Sequence, residues 1–459
     1  MRLFFLCRGK DSLSSSLGTS STNRNFNTIW RCGILKKILA ILTVAAVLCA
    51  SGSAFAAAKA PAKAPAKAPA KAAAVKAPAK APAAKAAAKA PAAKTPAKGA
   101  PIKVGYLAAL TGDFAAYGKT EVNMAKMVIG DVNKAGGVLG RPIQLVIYDT
   151  KTRNEDAVNA VRRMIEQDKV CAILGANSSG INIATAPIVN RGKVPQISTV
   201  GTNPIVTVDE KGKVRPYSFR ICFTDPYQGK LAADLAVKDL KKMKGAILYN
   251  VGSDYAQGLR QFFMEDYKKL GGKVVADEGF RDTDVDFRAQ LTKVKSSGAD
   301  ILFLPGMGKD MALAIKQAKE LGLSKLTIIG GDGYGEFMNE IAGKAMVGTY
   351  WINHTYLEDP GMKPVFARYK KVYKDDCKEF VNGTMAYDAT KWLIDAIKRA
   401  GKDNGPAIAK ALETTKGLKL THATITISAK DHNPINKPGI ILKVASDLHT
   451  KFYKKVQPK

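Results

Sequence analysis

From residue 102 to residue 330 the chain alternates short apolar runs with segments whose apolar side chains recur every three or four positions. That alternation restricts the fold more than any other feature, because strand and amphipathic helix in turn bury both only when helices cover a parallel sheet. Residues 102–107 read as a strand, and Val122, Ala125, Ile129 and Val132 then mark one helical face that Gly136 and Gly137 end. Strands follow at 144–148, 171–175 and 196–199, with helices marked by Val158, Val161 and Ile165 and by residues 181–189 between them. A second series opens after Pro216, with strands at 246–249, 273–278, 301–304 and 327–330 and helices over 228–241, 256–270, 286–296 and 310–321. Each series exceeds one simple doubly wound unit, so two lobes with separate parallel sheets are expected.

Ligands of such sheets bind beyond the carboxyl ends of the strands. Those ends carry Tyr117, Ser178, Ser179 and Thr202 in the first series and Tyr255, Met307 and Asp332 in the second. Small hydroxyls thus face one acid across an expected cleft.

The 459 residues are 46% hydrophobic and 24% charged, which excludes a wholly disordered chain. A net charge of +32 would ordinarily point to nucleic acid or an anionic surface. Its distribution weakens that inference. Residues 57–100 hold ten lysines, seven prolines and no acid, whereas residues 101–459 hold 54 basic and 38 acidic residues. An Ala-Pro-Ala-Lys repeat of this kind forms no core and favours an extended polyproline II spacer. Upstream, Lys36 and Lys37 precede an uncharged stretch from 38 to 58 that is apolar to Leu48 and passes through Ala54-Phe55-Ala56, a secretory signal with cleavage expected after Ala56. An uncleaved membrane anchor is the alternative. Translation starting near Leu35 would give that signal an ordinary length, and Leu48 before Cys49 disfavours lipid attachment. Export argues against nucleic acid as the partner of the basic repeat and leaves acidic cell-envelope polymers or lipid head groups, or a plain spacer.

Catalytic motifs fail by spacing. Gly112 to Thr120 has five residues between its glycines where a phosphate-binding loop has four, and Gly306-Met307-Gly308 and Gly331-Asp332-Gly333-Tyr334-Gly335 miss the dinucleotide pattern. The segment Gly175-Ala-Asn-Ser-Ser-Gly180 is not a nucleophile elbow. The four histidines, His354, His422, His432 and His449, are expected at the surface or in the core. No metal or cofactor is expected, and six cysteines without a CxxC exclude a disulfide framework or zinc ribbon.

Taken together, Ile102 to Gly112, Tyr117-Gly118, Asp131 to Pro142, Gly175 to Gly180, Asp254 to Gly258 and Ala299 to Gly306 resemble the periplasmic leucine/isoleucine/valine-binding proteins of ABC importers, in order and spacing. The resemblance covers about 102–445 and implies a type I periplasmic-binding-protein fold, an α/β architecture of two doubly wound parallel-sheet lobes joined by a three-strand hinge. It implies a first lobe from 101–221 and 350–425, a second from 222–349 and 426–459, and crossings near 219–223, 348–353 and 425–430. The implied ligand is a small amino acid, branched-chain by analogy, delivered to an inner-membrane ABC permease; amides, urea and aromatic acids are alternatives, as is a tether acting through the basic repeat. Carried over by motif, Ser179 (or Ser178, if the register slips) and Thr202 would hold the carboxylate, with Val200 as the backbone acceptor. Asp332 would hold the ammonium, and Tyr117 and Tyr255 would line the cleft. Met307 departs from an aromatic position of leucine-type members, Asp332 is one methylene shorter than glutamate, and Asn177 and Ser178 replace a cysteine pair of some members.

Overall fold

The computed structural model describes residues 99–458. The signal peptide expected over 1–56, and the spacer expected over 57–100 apart from its last two residues, lie outside the described residues. The first sheet takes β1 (Ile102–Ala108), β2 (Ile143–Asp149), β3 (Ala172–Leu174), β4 (Gln196–Ser198) and β5 (Ser218–Arg220), all parallel in the order β2-β1-β3-β4-β5. Helices α1 (Ala115–Lys134), α2 (Asn154–Glu166) and α3 (Ser179–Gly192) connect its first four strands. Every residue of β1 except Lys103 is buried, as a strand covered on both faces requires. Glu155 and Asp156 in the first turn of α2 oppose the positive end of its dipole.

The second lobe repeats this winding. It starts with α4 (Asp225–Asp234), which ends in a single π turn, Leu235–Asp239, inside the helix expected to reach 241. There follow β6 (Lys244–Asn250), α5 (Asp254–Lys269), β7 (Lys273–Phe280), α6 (Arg288–Ser296), β8 (Ile301–Leu304), α7 (Gly308–Glu320), β9 (Thr327–Gly330), α8 (Met338–Ala342) and β10 (Tyr350–Asn353). The chain then returns through α9 (Lys363–Tyr373), α10 (Phe380–Ala400) and α11 (Gly405–Glu413), with α10 packed along α1. A small antiparallel pair, β11 (Leu418–Lys419) and β12 (Thr424–Ile425), precedes β13 (Gly439–Val444) and β14 (Thr450–Val456). The second sheet has the order β14-β13-β10-β9-β8-β6-β7.

Several expectations shift. The second sheet is not wholly parallel, because β13 runs antiparallel to β10 and β14 antiparallel to β13, a short turn forcing the reversal. Strand β10, expected in the returning part of the first lobe, is parallel to β9 in the second sheet, so that crossing starts at His354. Residues 426–434, expected in the second lobe, remain with the first: Ile427 bridges Pro434, and the His432 ring bonds the Ser218 carbonyl through Nδ1 at 2.9 Å. Phe219 and Arg220, expected at a crossing, belong to β5, and the crossing occupies 221–224.

The parallel core of both sheets has one winding order, with the chain reversing direction between β1 and β3 in one lobe and between β6 and β8 in the other. A crevice outside the strand ends is the geometric result at both places.

Candidate ligand-binding site

The turn after β3 positions the first group of side chains. At Gly175 φ is +88°, and a Cβ there would lie 2.2 Å from the Leu107 carbonyl oxygen, so only glycine lets β3 turn this close to β1. Asn182, one turn into α3, ties the loop down, its Nδ2 donating to the carbonyls of Ala176 at 2.9 Å and Ser178 at 2.7 Å. Ser179 is thereby fixed at the first position of α3, 1% exposed, with its Oγ accepting from the Asn203 amide at 3.2 Å. The first-turn amides of a helix have no intrahelical carbonyl to bond and favour an anion.

The loop after β4 is held by Arg220, a wholly buried guanidinium. It donates to the carbonyls of Gly201 at 2.7 Å, Asn203 at 2.8 Å and Pro204 at 3.2 Å and to the Thr207 hydroxyl at 3.0 Å. Burial lowers its pKa. Val200 and Thr202 sit on this loop. The backbone amide of Asp225 reaches the Thr202 carbonyl at 2.9 Å, while the Thr202 hydroxyl and the Asp225 carboxyl are buried without hydrogen-bond partners among the described residues. Burial raises the Asp225 pKa well above the usual carboxylate range.

Across the cleft Asp332 follows β9 and is 3% exposed. Its Oδ1 accepts from Gln228 Nε2 at 3.0 Å, its Oδ2 lies 2.9 Å from His354 Nε2, and its amide donates to Gln228 Oε1 at 2.9 Å. The Tyr255 hydroxyl donates to the same Gln228 Oε1 at 3.3 Å. Gly331 makes this packing possible, since a Cβ there would stand 2.3 Å from the Tyr255 oxygen. Burial lowers the His354 pKa to about 4, so the ring is neutral at pH 7 and donates to the carboxylate through Nε2.

Ser179, Val200, Tyr255, Met307 and Asp332 line one inner cavity of about 10 Å³ with Asn177 and Gly333. Tyr117, expected to line the cleft, is not part of this wall or of the outer one; from α1 its hydroxyl donates to the Gly333 carbonyl at 2.6 Å and its ring meets Phe337 edge-on at 5.4 Å. Met307 also forms part of the wall of an outer cavity of about 540 Å³, and there the structure places Ser178. Thr202 lines neither cavity. The inner space is about that of one water, so an amino acid requires the lobes to part. Sequence reasoning missed Asn177, Gln228 and His354. Asn177 stood in the quoted Gly175 to Gly180 motif and was legible; Gln228 is 104 residues from Asp332, with no motif to join them. Among the described residues no group of three or more His, Cys, Asp or Glu is placed to hold a metal ion.

Two wound lobes with polar groups converging on a cavity between them define a two-lobed binding protein. The chain belongs to the periplasmic binding protein family, whose description matches residues 101–447. It is 28% identical over 333 residues to the Leu/Ile/Val-binding protein homolog 3 of Brucella melitensis, covering 72% of this chain and 88% of that protein. The branched-chain amino acid transporter substrate-binding protein of Streptococcus pneumoniae, solved with isoleucine, superposes with a TM-score of 0.71 at 30% identity, covering 78% of this chain and 100% of that one. A solute-binding protein of an ABC transporter from Rhodopseudomonas palustris, solved with 3,4-dihydroxybenzoic acid, gives a TM-score of 0.68 at 25% identity, covering 78% of this chain and 97% of that one.

Proposed function

We propose that this chain is the exported solute-binding component of an ABC importer, which captures a small zwitterionic amino acid of the branched-chain class between its lobes and delivers it to a membrane permease without covalent chemistry. The observation that carries this reading is the pairing across one cavity of Ser179, at a helix start, with Asp332, an acid held by Gln228 and His354. The ligand's carboxylate meets Ser179 and the first amides of α3, its ammonium meets Asp332, and Val200, Tyr255 and Met307 surround the side chain. Thr202, outside the cavity wall, acts through the loop that carries Val200. Signal cleavage after Ala56 releases the protein, and residues 57–100 act as a basic spacer that meets acidic envelope polymers.

Calorimetry with isoleucine tests the reading. Asp332→Asn should weaken binding by about 3 to 5 kcal/mol, more than a hundredfold, because the ammonium is left without its counter-charge. Ser179→Ala should weaken it by about 1 to 3 kcal/mol, since the helix amides remain. The relative solved with an aromatic acid supports a second reading. An aromatic acid has no ammonium, so its binding would be little changed by Asp332→Asn and still reduced by Ser179→Ala. Isoleucine binding within twofold of the parent in both variants overturns the assignment of these residues.

A further inference from the structure

A third cavity, of about 680 Å³, lies away from the candidate site, where two of the three crossings between the lobes meet. Phe223, Tyr227, Ile427, Ile435 and Pro458 supply its apolar lining, beside polar side chains that include Lys430 and Asp431. Lys437 also belongs to its wall and is 2% exposed. Among the described residues the Lys437 ammonium has neither a hydrogen bond nor an ion pair, and it is not among the enclosed side-chain atoms that lack a partner, so it keeps a small accessible area of its own.

The acids whose fields reach it are engaged elsewhere. Asp388 accepts from the amides of Thr421 and His422 at 2.9 and 3.0 Å, and Asp359 Oδ2 lies 3.0 Å from the His422 ring. Asp431, in the cavity wall, accepts from the Asn433 amide at 3.2 Å. Burial lowers the Lys437 pKa to about 8, which still leaves most of it protonated at pH 7. An ammonium with no hydrogen-bonded partner beside a partly apolar hollow suits an anion with an apolar body.

We propose that this hinge cavity is a second binding site, separate from the interlobe cleft, for a small aliphatic carboxylate whose charged end meets Lys437 and whose chain packs on Phe223 and Ile427. The site is placed to affect the cleft. The Phe223 ring lies 3.8 Å from the His354 ring, centroid to centroid, tilted by 37°, and His354 bonds Asp332, so an occupant touches the chain of contacts that ends at the candidate ligand acid. Its effect on cleft affinity and the effect of cleft ligand on its own affinity must be equal.

Hexanoate is the probe, titrated calorimetrically into the whole protein. Saturable binding of one equivalent is expected at millimolar concentration, at least tenfold weaker in Lys437→Met. Ile435 is 51% exposed and lines the same cavity, so Ile435→Glu should leave the fold intact and, by placing a carboxylate in the wall, should weaken binding of an anion at least tenfold. Absence of hexanoate binding overturns the proposal, as does equal binding by the parent and both variants. Competitive displacement of hexanoate by isoleucine would assign it to the cleft and overturn the proposal as well.

Discussion

Asp332 and His354 sit 22 residues apart on opposite sides of β10 and meet at 2.9 Å, both buried. The pair gives the candidate acid a donor that carries no charge at neutral pH, so this partner brings no positive charge to the site. It also makes the lobe sensitive to acid. The folded His354 pKa, about 4, lies below its ordinary value of 6.5, so the unfolded chain binds the proton first. This contribution to stability is complete above pH 6.5 and is lost as pH falls towards 4. In His354→Leu the loss between pH 7 and pH 5 should be smaller, and stability at pH 7 should drop by about 1 to 3 kcal/mol from the missing donor. Urea melts at the two pH values provide the check, with His354→Gln, which retains a donor, recovering part of the pH 7 stability.

Tyr117→Phe removes the hydroxyl that reaches from α1 to the Gly333 carbonyl. This bond joins the two lobes and exists only when they are together. Isoleucine affinity should fall about two- to tenfold, mainly through faster release. Stopped-flow dissociation would reveal it, and an unchanged off-rate would mean that the bond does not hold the lobes.

Glu121 presents the opposite pH dependence. It is wholly buried on α1, accepts from the Thr199 hydroxyl at 2.6 Å, and burial pushes its pKa up to about 8 from 4.5. The folded chain retains this proton where the unfolded one has released it, so stability declines as pH rises from about 4.5 through 8. Glu121→Gln keeps an acceptor for Thr199 and has nothing to ionise. Its melting temperature should exceed the parent's at pH 8 and approach it at pH 5, as scanning calorimetry would register.

Arg220→Met would leave three buried acceptors and one half-buried acceptor of the 201–207 loop without their donor. A stability loss of at least about 3 kcal/mol is expected in denaturant titrations. Binding should weaken too, because this loop carries Val200 into the inner cavity.

Much of 102–330 was legible because most strands there are apolar runs between amphipathic helices, as with β8 and α7. Strand β5 escaped notice at three residues, and Arg220 within it resembles a surface residue until burial is known. The C-terminal part was legible only as returning segments, and their boundaries moved because β10 and β13 pair across almost ninety residues of intervening chain. Ser179 and Asp332 reach the inner cavity from the strand ends at which the sequence put them. Gln228 and His354 were not legible, since their role rests on contacts that no local pattern encodes. Thr202 lies on the loop after β4, where it was expected, and lines neither cavity.

Three passages between the lobes leave neither lobe as one continuous stretch of polypeptide. Helix α10 covers α1 from more than 240 residues downstream, and the second sheet lacks its last two strands until residues 439–456 exist. During synthesis from the amino end, β1 to β5 would therefore wait with the apolar face of α1 uncovered until residues 380–400 had followed. High separation between partners slows folding and prolongs the life of incomplete forms. The same interlacing that permits a hinge thus delays both halves to nearly the same late moment, which leaves an extended interval in which the chain is still loose enough to be threaded through a narrow pore.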